Sequence, residues 1–521
     1  MSDMFSLLSR GYFPRELPPT FTTEYLAQVV TRNKSSIPNS FTSGKRIGML
    51  CHHNIPRLGI KRRRFSIPNP VLHYNLCNDI TTNWTQLRSI ATQSQISRSI
   101  PKVGPPSGRA ILPYYNFSEL RAFRTNLRAT ARYILKTDIA RFYPSIYSHS
   151  IPWALHGKSN AKSNRSPSGS LGNSIDRWVR NSQDAQTIGI PIGPDTSLVI
   201  AELILCMADQ ELSNRLPSTR IMRYSDDYEM GFKNYSDAEQ ALAILQDILK
   251  DYELELNSSK TKIIELPVAF ESLWVSSLRD FPFRSTNDGQ KTDIVRYFDL
   301  AISLAKANPD DHVLKYAVQR IHNIKIKHRN WALLQDYLFH CLMVETGTFL
   351  VVLSQLIDRH NQAYALDMNS LTEIINYHII EKCPLGHGSE VAWSVWFAIY
   401  LNLTIDEKAA EALSRINDSI VAILALDANN RKLIPKGLDK SYWQEFLSKE
   451  GLYGPQWLLA YEANIHGWLK PKNGKDFIKS DSNFSFLRNN SVKFYDPNIA
   501  KSLRPTFVSA SAGVAPLFSK V

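Results

Sequence analysis

The feature that most constrains the fold is an acidic pair at the tip of a short hairpin. Asp226 and Asp227 lie between two apolar segments, residues 221–224 and 229–232, which the sequence predicts to be short strands. Two adjacent carboxylates repel one another, so such a pair destabilises the chain unless it binds cations. The pattern therefore predicts a β-hairpin with hard oxygen ligands at its tip.

A third carboxylate, Asp138, lies at the end of a buried strand that we predict over residues 133–139. If that strand pairs beside the hairpin, the side chain of Asp138 meets that of Asp226. Two Mg²⁺ ions held there, or Mn²⁺ in their place, would activate a hydroxyl nucleophile and stabilise a leaving pyrophosphate. The three acids together predict a nucleotidyl-transfer site.

Length and composition predict a folded protein with at least two domains. The chain has 521 residues, of which 43% are hydrophobic and 21% charged, so a disordered, collagen-like or coiled-coil protein is excluded. Five scattered cysteines argue against a disulfide scaffold or a zinc module. The longest apolar stretches, 348–357 and 391–403, are too short to cross a bilayer, and we expect a cytoplasmic protein without a membrane partner.

The excess positive charge is confined to the N-terminal quarter. The chain carries +13, yet residues 1–136 hold 20 Lys/Arg against 5 Asp/Glu, a net +15, so the remainder carries −2. A surface that binds phosphates shows such an asymmetry, because neutralised phosphates release counterions. A merely solvated basic face shows it equally, and both interpretations stay open.

The sequence changes character near residue 285. Before Ile100, prolines and polar clusters predict a loop-rich region with a few strands and no long helix. Helices are expected at 120–132, 195–212 and 237–252, with Asp195 or Thr196 as an N-cap, and a strand at 261–266. The later predicted helices are 293–307, 312–322, 331–345, 349–360, 370–381, 390–403 and 407–416.

These short helices with tight connections are typical of an α-solenoid or an irregular bundle, although no clean repeat is present. The predicted domains are residues 1–285 and residues 286–521. Residues 470–521 are polar and weakly periodic, and we expect a loosely structured tail there.

An ordered set of motifs resembles the palm of a reverse transcriptase. Its members, in chain order, are Asp138 with Tyr143, Gly189-Ile190-Pro191-Ile192-Gly193, Tyr224-Ser225-Asp226-Asp227 and Leu256-Asn257-Ser258-Ser259-Lys260-Thr261. Residues 137–158 and the Asn160 to Arg165 segment are more narrowly similar to the abortive-infection (Abi) reverse transcriptases of bacteria, a group with AbiK-like and P2-prophage Abi-like members. The likeness covers about residues 45–270.

The resemblance implies an α+β fold in which reverse-transcriptase fingers and palm precede an all-α, HEAT-like C-terminal domain. It also implies an anti-phage DNA polymerase that uses dNTPs, needs no template, and is primed by a hydroxyl of the protein. Single-stranded DNA would then be attached covalently to a ring-like homo-oligomer in the bacterial cytoplasm. A conventional RNA-templated reverse transcriptase, an RNA partner, and a catalytically dead nucleic-acid-binding scaffold stay open as alternatives.

The resemblance assigns roles to five residues around the acidic cluster. Asp138 and Asp226 would bind the metal ions, and Asp227 would support them. Tyr143 would lie beneath the incoming sugar and exclude a 2′-hydroxyl. Lys260 would protonate or electrostatically relieve the leaving pyrophosphate, although an exposed lysine near a strand is also commonplace.

The basic run that ends at Ile67-Pro68 matches the fingers motif in which an arginine four residues before the Ile-Pro binds the triphosphate. Arg63 occupies that position and Arg64 is its neighbour. The planar guanidinium group suits phosphate oxygens.

One position departs from the pattern of many reverse transcriptases. Ile192 stands where they have a glutamine, and isoleucine cannot donate a hydrogen bond near the incoming nucleotide. Backbone contacts from Gly189 and Gly193 would remain, but template-directed selection would be relaxed. No recognisable thumb follows Leu266, so a duplex would be poorly held.

The priming residue is the least defined of the expected site residues. It needs an exposed hydroxyl on a segment that reaches the acidic cluster. Tyr12 and Tyr25 in the N-terminal region are the candidates, and ordinary packing roles are the alternative for both.

Overall fold

The structure is a computed structural model of the 521-residue chain. It describes residues 3–57, 61–164, 166, 169–472 and 474–499.

The strands are β1 (Cys51–Pro56), β2 (Arg62–Ile67), β3 (Pro101–Val103), β4 (Ile111–Pro113), β5 (Tyr133–Asp138), β6 (Arg220–Tyr224), β7 (Asp227–Phe232) and β8 (Lys262–Glu265). The helices up to the palm are α1 (Met4–Arg10), α2 (Glu24–Arg32), α3 (Asn39–Thr42), α4 (Pro70–Thr82), α5 (Trp84–Ala91), α6 (Phe117–Arg128), α7 (Phe142–Ser145), α8 (Ser150–His156), α9 (Lys158–Ser163), α10 (Leu171–Asn181), α11 (Asp195–Arg215) and α12 (Tyr235–Lys250).

The later helices are α13 (Leu273–Arg279), α14 (Asn287–Ala307), α15 (Val313–His322), α16 (Trp331–Val344), α17 (Phe349–Asn361), α18 (Met368–Lys382), α19 (Gly388–Leu401), α20 (Glu407–Leu413), α21 (Ser419–Asn430), α22 (Ser441–Gln444), α23 (Trp457–Ile465) and α24 (Ser482–Asn489). Short 3₁₀ helices span Lys34–Ser36, His328–Asn330 and Thr346–Thr348.

A four-stranded antiparallel sheet, the palm sheet, has the strand order β6-β7-β5-β8. The register pairs Asp138 of β5 with Asp227 of β7, and Tyr224 of β6 with the same Asp227. The predicted hairpin and both predicted neighbouring strands are thus confirmed, and the three acidic residues lie at one end of the sheet.

The two faces of the palm sheet are covered differently because side chains alternate along each strand. One face, with Leu135, Tyr228 and Met230 in the core, packs on α11 and α12. The opposite face carries Asp138 and Asp227, and α6 packs on part of it.

The start of α11 differs from the expected capping. Pro194 occupies the N-cap position without a side-chain hydrogen bond, and neither Asp195 nor Thr196 caps the helix. The carboxylate of Asp195 instead binds the guanidinium of Arg109 and the backbone N–H of Ile111. A buried arginine is a stronger partner for this carboxylate than the helix end.

The prediction of no long helix before Ile100 is wrong. Helix α4 has 13 residues and is followed directly by α5. Nine residues of α4 are buried, on all sides of the helix, so it has no apolar stripe to reveal it. The Asn69-Pro70 pair, with Asn69 accepting from the Val71 N–H, is the start signal that was available.

The predicted helices after residue 285 are confirmed as α14 to α20, and no strand lies in the described residues beyond β8. Helices α19 and α21 pack directly against the fingers hairpin β1–β2. His53 of β1 binds Asp418, and Arg62 of β2 binds Glu390. One buried apolar cluster extends through both halves, and the division at residues 285 and 286, like the HEAT-like character, stays a prediction.

The expected loose tail is wrong for residues 474–499. Phe484, Leu487 and Tyr495 are completely buried, and Tyr495 forms a β-bridge with Phe21. The C-terminal part of the described chain therefore packs on the N-terminal segment. Residues 500–521 of the predicted tail lie outside the described residues.

None of the helices in the described part of the chain combines the length and apolar character needed to span a membrane.

Candidate active site

The structure brings the three predicted acidic residues together at one corner of the palm sheet. Asp138 is the cross-strand partner of Asp227, and the N–H of Ile139 donates to the Asp226 carbonyl oxygen at 3.1 Å. Ser225 and Asp226 form a two-residue turn, in which Ser225 has a φ of 55°. This tight turn projects Asp226 beside the end of β5.

The carboxylates are poorly neutralised for their burial. Burial, followed by the charge of Asp226, raises the pKa of Asp227 to about 8. Burial also raises the pKa of Asp226, with a contribution from the charge of Asp138. Asp138 is 4% exposed, and its Oδ1 is buried without a hydrogen-bond partner in the described part of the molecule.

Lys260 is the cation that contacts this cluster. Its Nζ binds Asp138 Oδ2, and the side chain stays 44% exposed. The N–H of Asn257, in the same turn, donates to the Asp138 carbonyl oxygen at 2.8 Å, which holds the turn against β5. Lys136 acts on Asp227 through its charge, but Asp226 and Asp227 form no ion pair among the described residues.

The cluster fits divalent cations as an incomplete site. Within residues 3–57, 61–164, 166, 169–472 and 474–499, no group of three or more His, Cys, Asp or Glu side chains is arranged to hold a metal ion without other ligands. The orphaned Oδ1 of Asp138 and the neighbouring carboxylate of Asp226 are hard donors of the kind that Mg²⁺ prefers. Mg²⁺ commonly uses one or two carboxylates and takes its remaining ligands from water and substrate phosphates.

A buried ion network supports the turn from the opposite face of the sheet. Arg223 is completely buried and binds both Glu202 and Asp209 of α11. The same guanidinium donates to the Ser225 carbonyl oxygen at 2.8 Å, and the Ser225 N–H donates to Ser99 Oγ at 2.7 Å. Both polar groups of the turn backbone at Ser225 are thereby fixed.

The fingers bring one of the two predicted arginines to the acidic cluster. Burial and the charge of Arg57 lower the pKa of Arg63, and the charges of Asp226 and Tyr143 oppose this effect. Arg64 alternates to the other face of β2, the face on which Arg62 binds Glu390. The structure therefore brings Arg63, and not Arg64, towards Asp226.

Tyr143 and the loop at residues 189–193 join the fingers to the palm. Burial, with the charge of Asp226, raises the pKa of the half-buried Tyr143. The Ile190 N–H donates to the Tyr143 carbonyl oxygen at 2.9 Å, and the Ser66 N–H of β2 donates to that of Ile192 at 2.9 Å. The loop thereby aligns the strand of Arg63 with Tyr143.

Two glycines give this loop a backbone conformation that other residues adopt only with strain. Gly189 and Gly193 have positive φ values of 89° and 132°, which strain other residues. A Cβ at Gly193 would lie 2.7 Å from Pro14 Cγ. The loop is therefore held closely against the N-terminal segment.

Comparison with protein families agrees with this geometry. The family described as reverse transcriptase (RNA-dependent DNA polymerase) matches residues 64–297. A reverse transcriptase domain is present in this chain. The match includes all three acidic residues, Tyr143 and Lys260, whereas Arg63 lies just before it.

Among solved structures, three fungal telomerases show a distant similarity. The apo telomerase from Candida tropicalis truncated from the C-terminal domain is 14% identical over 47% of this chain and 55% of its own, at a TM-score of 0.30. The telomerase from Candida albicans in complex with a TWJ fragment of telomeric RNA is 10% identical over 68% and 65%, at 0.30. The apo Candida tropicalis telomerase is 11% identical over 64% and 66%, at 0.34.

This chain thus spans less than two thirds of the length of those telomerase chains. No curated protein matches it.

Tyr12 does not meet the condition for priming. It is completely buried, its hydroxyl donates to the Pro68 carbonyl oxygen, and its ring stacks on His73 at 4.1 Å. The prediction that its hydroxyl is exposed is wrong, because the N-terminal segment packs into the core of the reverse transcriptase domain. Tyr25 is half-buried, with its hydroxyl donating to Asp496 Oδ2 at 2.6 Å, and its priming role stays a prediction.

Sequence reasoning missed the network behind the turn. Arg223 directly precedes Tyr224, and Glu202 and Asp209 stand seven residues apart within the otherwise apolar α11. Two carboxylates on one face of a buried helix require a buried cation, and that spacing was the available signal.

Proposed function

We propose that this chain is a bacterial DNA polymerase of reverse-transcriptase type that adds deoxynucleotides by two-metal chemistry. The observation that supports it best is the meeting of Asp138, Asp226 and Asp227, of which only Asp138 is ion-paired among the described residues, within a reverse transcriptase domain. An uncompensated acidic cluster costs folding free energy, and cation binding recovers that cost.

In this proposal Asp138 and Asp226 hold the ions, and Asp227 reinforces the negative potential. When bound, the two ions activate the attacking hydroxyl and stabilise the leaving pyrophosphate. Arg63 binds the triphosphate from the fingers side, supported by its proximity to Asp226. Lys260, which binds Asp138, would offer its proton to the pyrophosphate.

Deoxynucleotide selection belongs to Tyr143 in this proposal. The side chain is half-buried and its backbone is fixed by the Ile190 N–H, so the ring cannot easily move away from a 2′-hydroxyl. Gly189 and Gly193 supply backbone contacts to the nucleotide.

We further propose that synthesis does not need a template. Ile192 supports this, because its side chain offers no hydrogen bond to a templating base pair. Protein priming, a ring-like homo-oligomer and a role in abortive infection against phage are proposed from the sequence resemblance alone.

The test uses full-length protein, Mg²⁺ and each labelled dNTP separately, with and without an RNA template, read on a denaturing gel. We expect label to migrate with the polypeptide in the template-free reactions. Asp226→Asn should abolish the signal, and Asp288→Asn, an exposed acid on α14, should retain it.

Each other outcome of this gel overturns part of the proposal. Label that depends on added RNA indicates a conventional RNA-templated enzyme. Absence of label in every lane, together with full phage protection by Asp226→Ala, indicates a catalytically dead scaffold.

A further inference from the structure

Helix α6 packs on part of the sheet face that carries the acidic residues. Leu120 and Leu127 of α6 form a buried cluster with Ile134 of β5 and Met222 of β6. A Cβ at Gly231 would lie only 2.7 Å from the Leu127 carbonyl oxygen, so the helix backbone rests directly on β7. The last row of the sheet, at Asp138 and Asp227, lies beyond this cluster.

A buried ion pair holds helix α6 on the sheet in addition to its apolar contacts. Arg124 of α6 binds Glu229 of β7 at 2.7 Å, and both side chains are at most 5% exposed. Breaking a buried ion pair of this kind costs several kcal/mol, so displacement of α6 by a ligand is unfavourable. Helix α6 therefore stays in place on this face, and a product strand from the acidic cluster passes beside it.

A run of aromatic rings begins next to the catalytic corner and leads outward along α6. Tyr224 packs against the same cluster as Tyr115 and Phe123, whose rings lie 4.8 Å apart. The ring of Tyr114 lies 5.0 Å from that of Tyr115 and is 45% exposed. Tyr224 and the Tyr115–Phe123 pair thus share one apolar cluster, from which Tyr114 reaches the surface.

Cations accompany these rings at each step. The Arg98 guanidinium lies 4.4 Å from the centroid of the Phe123 ring, and Lys102 Nζ lies 5.1 Å from that of Tyr114. The Nη1 of Arg98 donates to the Gln95 and Ser97 carbonyl oxygens, and Lys102 Nζ donates to that of Tyr114, so both cations are held in place beside the rings. Alternating cations and aromatic rings match the phosphates and bases of a single strand.

We infer that Arg98, Lys102, Tyr114, Tyr115 and Phe123 form an exit track for single-stranded DNA made at the acidic cluster. Bases stack on the tyrosine rings, and phosphates bind the two cations. The assignment rests on the proposed polymerase function. It adds a binding surface, provided by α6 and by the β3–β4 hairpin with its flanking residues, to that function.

The experiment measures the anisotropy of a fluorescein-labelled oligo(dT) of about 15 nucleotides, a length within the usual range of single-strand sites. Full-length protein is titrated in EDTA, so that binding is read without nucleotide incorporation. We expect Tyr114→Ala to weaken binding about tenfold. Lys102→Gln should reduce the slope of log Kd against log salt concentration by about 0.7.

Two variants serve as matched controls. Tyr377→Ala removes a tyrosine on α18 that is also 45% exposed, and Lys408→Gln removes an exposed lysine on α20. Both should bind oligo(dT) as the wild type does, and equal melting temperatures would show that all four variants fold.

If Tyr114→Ala and the wild type bind oligo(dT) with equal affinity, the proposed exit track is wrong. Binding of a 15-base-pair duplex as tightly as oligo(dT) overturns it as well, and so does a clear preference for oligo(rU). A wild type that binds oligo(dT) through Tyr114 but incorporates no dNTP contradicts the proposed function and leaves the binding surface in place.

Discussion

Two clusters of acidic residues lie on opposite faces of the same β6–β7 hairpin, and they are neutralised in opposite ways. Behind the hairpin, Glu202 and Asp209 share the buried Arg223 and four further hydroxyl groups. In front, the one ion pair among the described residues joins Asp138 to the half-exposed Lys260, and Lys136 and Arg63 act on the other two acids through their charge. The first cluster is complete within the protein, whereas Asp226 and Asp227 of the second form no ion pair in the described part of the chain.

The difference teaches how one short hairpin serves both stability and chemistry. The rear cluster fixes the turn backbone at Ser225, so the front cluster cannot relax by moving apart. A rigid site with excess negative charge is suited to receive cations, because the cost of assembling the carboxylates is met during folding. Removing charge should therefore have opposite consequences on the two faces.

The largest expected effect is the loss of dNTP incorporation when a carboxylate of the front cluster is removed. Asp226→Asn should lower the rate of dNTP incorporation by about 10⁴-fold, because metal stabilisation contributes several kcal/mol. Without divalent ions, the same variant should unfold at equal or higher urea concentration than the wild type, since repulsion is removed. A clear loss of stability in EDTA would contradict the difference between the clusters.

On the rear face, removing a charge should lower the stability of the fold. Arg223→Met leaves Glu202 and Asp209 buried without their cation, and we expect the free energy of unfolding in urea to fall by about 3–5 kcal/mol. A triple variant that also carries Glu202→Gln and Asp209→Asn should recover part of this loss. If Arg223→Met costs less than about 1 kcal/mol, which is typical of exposed pairs, the network does not support the turn.

Selectivity between sugars should depend on the front face alone. Tyr143→Val opens space beneath the sugar, so the preference for dNTP over rNTP should fall about tenfold or more. The ratio of kcat/KM values for dTTP and rUTP measures it, with the dTTP value as internal reference. An unchanged ratio would assign Tyr143 to packing.

The smallest expected effect is on the melting temperature of the protein. Because burial and the charge of Asp226 raise the pKa of Asp227 to about 8, the folded chain keeps a proton that the unfolded chain releases near pH 4, its ordinary pKa being about 3.9. In EDTA, stability should therefore fall as pH rises from about 4 to about 8. Mg²⁺ should raise the Tm at pH 8 by about 2 °C, and by less at pH 5.

Asp227→Asn is the control for this thermal effect and should flatten the dependence of Tm on pH. A Tm in EDTA that rises between pH 5 and pH 8 in the wild type, and equally in the variant, would contradict the raised pKa.

Local patterns predicted the palm well, because its elements are defined by short-range signals. The strand expected at residues 133–139 is β5 (Tyr133–Asp138), and the acidic turn lies where the two flanking apolar runs required it. The meeting of Asp138 with the turn followed from a single assumption about strand pairing.

The remainder depends on tertiary packing that short patterns do not contain. Helix α4 is buried on all sides, so its periodicity carries no stripe, and Tyr12 is hidden because His73 and Pro68 surround it. Arg223 reads as an ordinary surface arginine until α11 supplies its two carboxylates. The polar segment around α24 appeared loose, since its buried partners lie near residue 21, at the other end of the chain.

We propose above all that the front cluster, in which Asp226 and Asp227 form no ion pair among the described residues, binds divalent cations together with a nucleotide. Electron paramagnetic resonance of free Mn²⁺, titrated into protein with dTTP, tests it directly. The account predicts that the wild type removes about two Mn²⁺ per chain from the free signal, and that Asp138→Asn and Asp226→Asn remove no more than dTTP alone. Equal Mn²⁺ uptake by the wild type and both variants would contradict it.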